Sequence, residues 1–120
     1  MPSPHQKIGA QGETLARSFL EKKGFIFVEK NIFTPFGEID LMFRDNETLV
    51  FVEVKYRNNP LFGTAAESMS ETKQRRFQKS CYYYLNKNLV NGEHPEFRID
   101  FLGIDRVDQE HEFTYIPFAF

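Results

Sequence analysis

Between residues 36 and 57 two apolar runs flank a short polar stretch, and this pattern restricts the chain more than any other part of its sequence. Phe36 to Arg44 is the first run, Leu49 to Arg57 the second, and Asp45-Asn46-Glu47-Thr48 lies between them. Side chains on a strand alternate between faces, so Ile39, Leu41 and Phe43 are expected on one face of the first strand and Val50, Val52 and Val54 on one face of the second. Such a hairpin must bury an apolar face under another layer. Treating Asp45 to Thr48 as a four-residue loop sets Arg44 opposite Leu49 and, counting back, Asp40 opposite Glu53. Directly opposed residues have Cβ atoms about 4.5–5.5 Å apart. Glu53 and Lys55 share a face, separated by roughly 6.6 Å of strand rise. A register shift of two would keep these faces and make Asp40 and Glu53 diagonal neighbours.

The rest of the chain supplies the cover. Leu15, Ala16, Phe19 and Leu20 form a stripe at helical spacing, which predicts a helix from Ile8 to Lys23 stopped by Gly24. Phe25 to Val28 reads as a short strand, and Pro60 and Gly63 mark a loop. A second helix is predicted from Ser70, its N-cap, to Asn88, with Phe77, Cys81, Tyr84 and Leu85 as its apolar stripe and Asn91-Gly92 ending it. Phe97 to Ile104 and Glu112 to Phe118 are late strand candidates. The order αβββαβ(β) predicts an α/β domain in which helices flank one mixed sheet. At 120 residues, with no repeat or linker, the chain is expected to form a single domain over 1–120.

A net charge of -2 argues against indiscriminate coating of nucleic acid, which calls for a basic chain. It does not argue against a site whose carboxylates are there to meet cations. The one cysteine, Cys81, excludes an internal disulfide; it sits on an apolar stripe, where packing is the expected role. The first residues lack the apolar core of a signal peptide, and no run approaches a membrane span, so a cytoplasmic location without membrane contact is expected.

Two carboxylates and an amine on one hairpin face have a definite chemistry. Carboxylates a few ångströms apart repel unless a positive charge lies between them, and hard oxygen ligands at that spacing suit Mg²⁺ or Mn²⁺. Asp40 and Glu53 are the expected ligands, with the Val54 carbonyl as a further oxygen. Lys55 can hold an attacking water or stabilise charge on a phosphate. Glu53-Val54-Lys55 alone would be an ordinary solvated strand face. The acid one strand earlier, and the nearly all-apolar setting Leu49-Val50-Phe51-Val52-Glu53-Val54-Lys55, favour a built site.

At these residues the chain resembles a known family. Asp40 followed by Glu53-x-Lys55 is similar to the PD-(D/E)xK nuclease motif, with Ile39 where proline often precedes the acid. Gly12-Glu13 with Ala16, then Asn31, Gly37-Glu38-Ile39-Asp40-Leu41, Phe51-Val52-Glu53-Val54-Lys55 and Arg57 resemble the YraN-like bacterial proteins, small endonuclease-type proteins related to archaeal Holliday-junction resolvases. Gly63, Lys73, Arg98-x-Asp100 and Ala119-Phe120 extend the likeness. The resemblance implies a restriction-endonuclease-like fold, Asp40 and Glu53 as metal ligands, Lys55 as the catalytic amine, and Glu13 helping to organise the metal. It implies a Mg²⁺- or Mn²⁺-dependent endonuclease acting on DNA, with branched or repair intermediates as substrates. The alternative is a noncatalytic nucleic-acid-binding or adaptor domain on the same fold.

Other residues are weighed on their own terms. Glu13 can equally be a helix N-terminal acid, and Glu38, two before Asp40, is expected to flank the site. Lys73, Arg75, Arg76 and Lys79 give the second helix a basic start that, with Lys55 and Arg57, can contact phosphates. Gln78 and Tyr82 are similar to a Gln-x-x-x-Tyr signature of related nucleases, and Tyr82-Tyr83-Tyr84 can stack on bases. His5, His94 and His111 have no ligand spacing, and Asp100 is expected to be structural. One site in so small a subunit cuts both strands of a duplex only by pairing, which points to a homodimer.

Overall fold

The computed structural model describes residues 4–59 and 63–120, the side chains of 4–8 excepted. Helix α1 spans Pro4–Lys22, and strands β1 (Ile26–Thr34), β2 (Gly37–Asp45) and β3 (Thr48–Arg57) follow. A 3₁₀ turn over Ala66–Ser68 leads to helix α2 (Glu71–Lys87) and strands β4 (Phe97–Val107) and β5 (Glu110–Ile116). The five strands form one open sheet in the order β1-β2-β3-β4-β5. Neighbours are antiparallel except β3 and β4, which run parallel. A parallel pair needs a long crossover, and α2 supplies it. The result is the mixed α/β sheet flanked by helices expected from the sequence, consistent with a restriction-endonuclease-like fold.

Two apolar clusters lie on opposite faces of this sheet. Ala16 and Leu20 of α1 pack on Leu41, Phe43, Val50, Val52, Leu102 and Ile104. Phe77, Cys81 and Leu85 of α2 pack on Ile39, Met42, Phe51 and Ile99. Both faces of β3 are therefore covered, which explains why Val50, Phe51 and Val52 are all buried and why that stretch lacks simple alternation.

Helix α1 ends as its composition dictates. Gly24 has a φ of +96°, the Gly24 N–H donates to the Glu21 carbonyl, and the Phe25 N–H to that of Leu20, so the last carbonyls are satisfied in a Schellman arrangement. Ser70 caps α2 by accepting from the Lys73 N–H at 3.2 Å. Other expectations need correcting. Strand β1 continues past Val28 to Thr34, because the pairing of its Lys30, Ile32 and Phe33 with β2 overrides their mixed polarity. The hairpin between β2 and β3 is tighter than a four-residue loop: Asp45 and Thr48 are themselves paired, and Asn46 turns with a φ of +55°. Asn91-Gly92 does not end α2, which stops at Asn88; both residues have positive φ in a turn bridged by Val90 and Glu93. Ile39 does not share its face with Leu41 and Phe43. It packs with the α2-side cluster together with its cross-strand partner Ile32. Pro60 lies outside the described residues, and no helix among those described is long and apolar enough to cross a membrane.

Candidate active site

Strands β2 and β3 stay in register from Asp45↔Thr48 to Leu41↔Val52. Beyond that pair Asp40 breaks the ladder: its Oδ2 accepts the Val54 N–H at 2.9 Å, a bond a strand backbone would otherwise supply. The acidic residues collect where the two strands part. Arg44 does stand opposite Leu49, as the loop count required. Asp40 and Glu53 lie close enough for the charge of Glu53 to bear on Asp40.

Burial and the Glu53 charge push Asp40 well above the usual carboxylate range. Glu53 is also raised by burial, against the opposing pull of Lys55, whose Nζ lies 3.2 Å from Glu53 Oε1. The Lys55 side chain remains 30% exposed, so the ion pair faces solvent from one side.

Glu13 reaches the same place from α1. Gly12, the residue before it, is buried against β3; a Cβ there would lie 3.0 Å from the Tyr56 Cβ. The missing side chain lets α1 approach β3 closely, and Glu13 arrives beside Glu38 and Asp40. Oxygens of Glu13, Glu38 and Asp40 all lie within 4.8 Å of one another. Burial raises Glu13, with Asn31 and Lys30 opposing; burial and the charges of Glu13 and Glu53 raise Glu38. Glu38 is thus inside the cluster rather than flanking it. Its strand is tied to α2 through Thr34, whose hydroxyl lies 2.8 Å from both the Gly37 carbonyl and the buried Ser80 hydroxyl.

Around these acids is a cleft of about 350 Å³ lined by Glu38, Asp40, Glu53, Lys55, Lys73 and Arg76, with Val54 and Phe77 among its walls. Of the basic residues expected on the nucleic-acid side, Lys73 and Arg76 face this cleft. Lys79 and Arg57 do not: Lys79 stands over the Phe36 ring at 5.9 Å, and Arg57 is the exposed last residue of β3. Val54, whose carbonyl is the expected further oxygen ligand, lines the cleft, and its amide donates to Asp40 Oδ2. Gln78 and Tyr82 line a different groove, with Phe97, Phe118 and Phe120.

Sequence reading missed Asn31 as part of the site. Its amide nitrogen, oriented to satisfy its neighbours, lies 2.8 and 3.1 Å from the Glu13 oxygens and 2.6 Å from Glu38 Oε1. The sequence signals only the backbone here, since asparagine is suited to positive φ, and not which acids its amide meets. Asp100 is structural, as expected. Fully buried, it accepts from Arg98, from the Tyr115 hydroxyl at 2.5 Å and from the Phe118 N–H at 3.0 Å. Cys81 is buried packing, and that burial pushes its thiol up, away from reactivity.

Comparison with known proteins places these residues in a wider set. A family model described as "Uncharacterised protein family UPF0102" matches residues 12–104, which include Glu13, Asn31, Glu38, Asp40, Glu53 and Lys55. A UPF0102 protein of Vibrio vulnificus is 43% identical over 112 residues, covering 93% of this chain and 90% of the relative. Others come from Vibrio campbellii, 41% identical over 82% of this chain and 81% of its own length, and Vibrio cholerae, 40% identical over 89% and 86%.

Proposed function

The chain belongs to the uncharacterised protein family UPF0102, and from that premise and the cleft's geometry we propose that it is a Mg²⁺- or Mn²⁺-dependent endonuclease hydrolysing phosphodiester bonds in DNA. One observation carries the reading: Glu38, Asp40 and Glu53 line one cleft together with Lys55, Lys73 and Arg76, and Glu13 brings a carboxylate oxygen within 4.8 Å of those of Glu38 and Asp40.

The donor set fits a hard divalent cation. Its atoms are carboxylate oxygens, and the acids in the cleft are raised by burial or by each other, so a cation would relieve the mutual repulsion. Asp40, Glu38 and Glu13 are the residues that would hold it, with Glu53 adjoining. When bound, such a cation supplies Lewis-acid polarisation of the phosphate and a more acidic water. The protein's own residues do the rest. Lys55, held by Glu53, orients the water and donates to a phosphate oxygen as charge builds there. Lys73 and Arg76 hold the backbone. Bare carboxylates in the cleft repel phosphate, so productive DNA binding should require the cation.

DNA is the partner on this reading, and branched or repair intermediates are the substrates the family likeness favours. A second copy of the chain would supply the cut in the opposite strand. The test is incubation of the purified protein with branched and linear DNA plus Mg²⁺ or Mn²⁺, repeated with Lys55→Ala and Glu53→Ala. Each substitution is expected to lower cleavage by about 100-fold or more, the scale of a lost proton-handling group. Cleavage unchanged in both variants would reject the assignment. Metal-independent gel shifts without cleavage would instead mark a noncatalytic binding domain.

A further inference from the structure

Asn31 has a φ of +54° in the interior of β1, an edge strand. It falls between the pairs Lys30↔Leu41 and Ile32↔Ile39, which puts it across from Asp40. A left-handed residue breaks the alternation of a strand and redirects its side chain, and such outliers concentrate where a site needs a particular aim. Here the aim is visible. With the amide turned so that its nitrogen faces the acids, the orientation that satisfies its neighbours, that nitrogen lies 2.8 Å from one Glu13 oxygen, 3.1 Å from the other and 2.6 Å from Glu38 Oε1, joining an acid on α1 to an acid on β2. No other side chain forms a hydrogen bond to Glu13 or Glu38 among the described residues.

We propose that Asn31 is the positioning residue of the cation site, resting on the reading of the cleft as a metal-dependent nuclease. Its amide holds two carboxylates that would otherwise turn apart, and so fixes the oxygens a divalent cation must meet. Each carboxylate oxygen has two lone pairs. Glu13 and Glu38 can therefore keep the amide while offering an oxygen to the metal. Asparagine suits the place because it combines a donor with tolerance of positive φ.

The decisive measurement is Mn²⁺ binding to the full chain without nucleic acid, by titration calorimetry, on wild type and on Asn31→Gly, which keeps the backbone conformation and removes the amide. Affinity is expected to fall by roughly 10- to 100-fold, the range for losing an outer partner of a metal ligand. Folded Asn31→Gly binding Mn²⁺ within about two-fold of wild type overturns the proposal while leaving the nuclease reading intact. If wild type itself takes up no Mn²⁺, both fall together. Should Asn31→Gly not fold, Asn31→Asp decides. It keeps the shape and exchanges donor for acid, so its metal-free form is expected to melt below wild type and recover on adding Mn²⁺; a melting temperature insensitive to Mn²⁺ rejects the idea.

Discussion

Asp40 and Glu53 lie side by side, largely shielded from water, and this makes the metal-free protein sensitive to pH in a direction opposite to most carboxylates. In the unfolded chain both acids titrate near pH 4. In the fold both are raised, Asp40 the more strongly. Above about pH 4 the folded state then binds more protons than the unfolded one, so this pair's contribution to stability falls as pH rises toward the raised values. Metal-free wild type should lose melting temperature relative to Asp40→Asn as the buffer goes from about pH 5 to about pH 8. The difference between the two proteins isolates the pair from other acids, and parallel curves would contradict the assignment. Arg76 lines the cleft and makes no carboxylate ion pair among the described residues; on the proposed nuclease reading it meets phosphate. Arg76→Ala should weaken DNA binding evenly across sequences and reduce the slope of log affinity against log salt by about one. Binding measured at several salt concentrations checks this, with Lys79→Ala, outside the cleft, as the variant expected to change little.

Secondary-structure elements meet at the site because of small features in their sequences. Helix α1 can bring Glu13 to the acids only because Gly12 lets it lie against Tyr56. Gly12→Val places a branched carbon where 3.0 Å of space remains, and α1 must back away from β3. The expected cost is about 1–3 kcal/mol in urea unfolding, as for other overpacked cores, with a larger fall in Mn²⁺ affinity than the stability loss alone explains. Strand β2 contributes differently. Its pairing with β3 ends at Leu41↔Val52, and the Asp40 side chain then serves in place of the ladder by taking the Val54 amide. The site therefore sits at the end of this ladder, where half-buried Asp40 lies beside buried Glu53 and Lys55 reaches solvent.

Across the whole molecule the sheet is pinned at a second buried polar centre. Asp100 on β4 binds Arg98 and the Tyr115 hydroxyl of β5, and Arg98 continues to Asp45 of β2 at 3.0 Å. Strands β4 and β5 and the Phe118 backbone thus share one carboxylate, and Arg98 links it to β2. Asp100→Ala would leave Tyr115 without its acceptor and Arg98 with Asp45 alone, at an expected cost of about 3–5 kcal/mol by urea unfolding. Burial and the bond to Asp100 push the Tyr115 hydroxyl up to about 12. Stability should accordingly fall between about pH 10, where free tyrosine ionises, and pH 12, and Tyr115→Phe should remove that part of the alkaline loss. One sheet spans β1 to β5, and if the chain folds as the proposed single domain, probes of secondary and tertiary structure should report coincident unfolding.

The elements and much of the candidate site were legible in the residues themselves. Period-two runs and a polar turn dictate the β2–β3 register at Arg44↔Leu49, and that register alone brings Asp40, Glu53 and Lys55 to one face of the hairpin. Gly24 and Ser70 announced helix ends, because caps are local chemistry between residues a few positions apart. Asn31 and Glu38 joining Glu13, the divergence of β2 from β3 at Asp40, and Arg57 and Lys79 falling outside the cleft were not legible. They depend on where α1 and α2 dock on opposite faces of the sheet and on how the strands twist at their ends. Those are contacts between residues far apart in the chain, for which periodicity carries no signal. Local pattern determined which groups were available, and packing alone decided which of them meet.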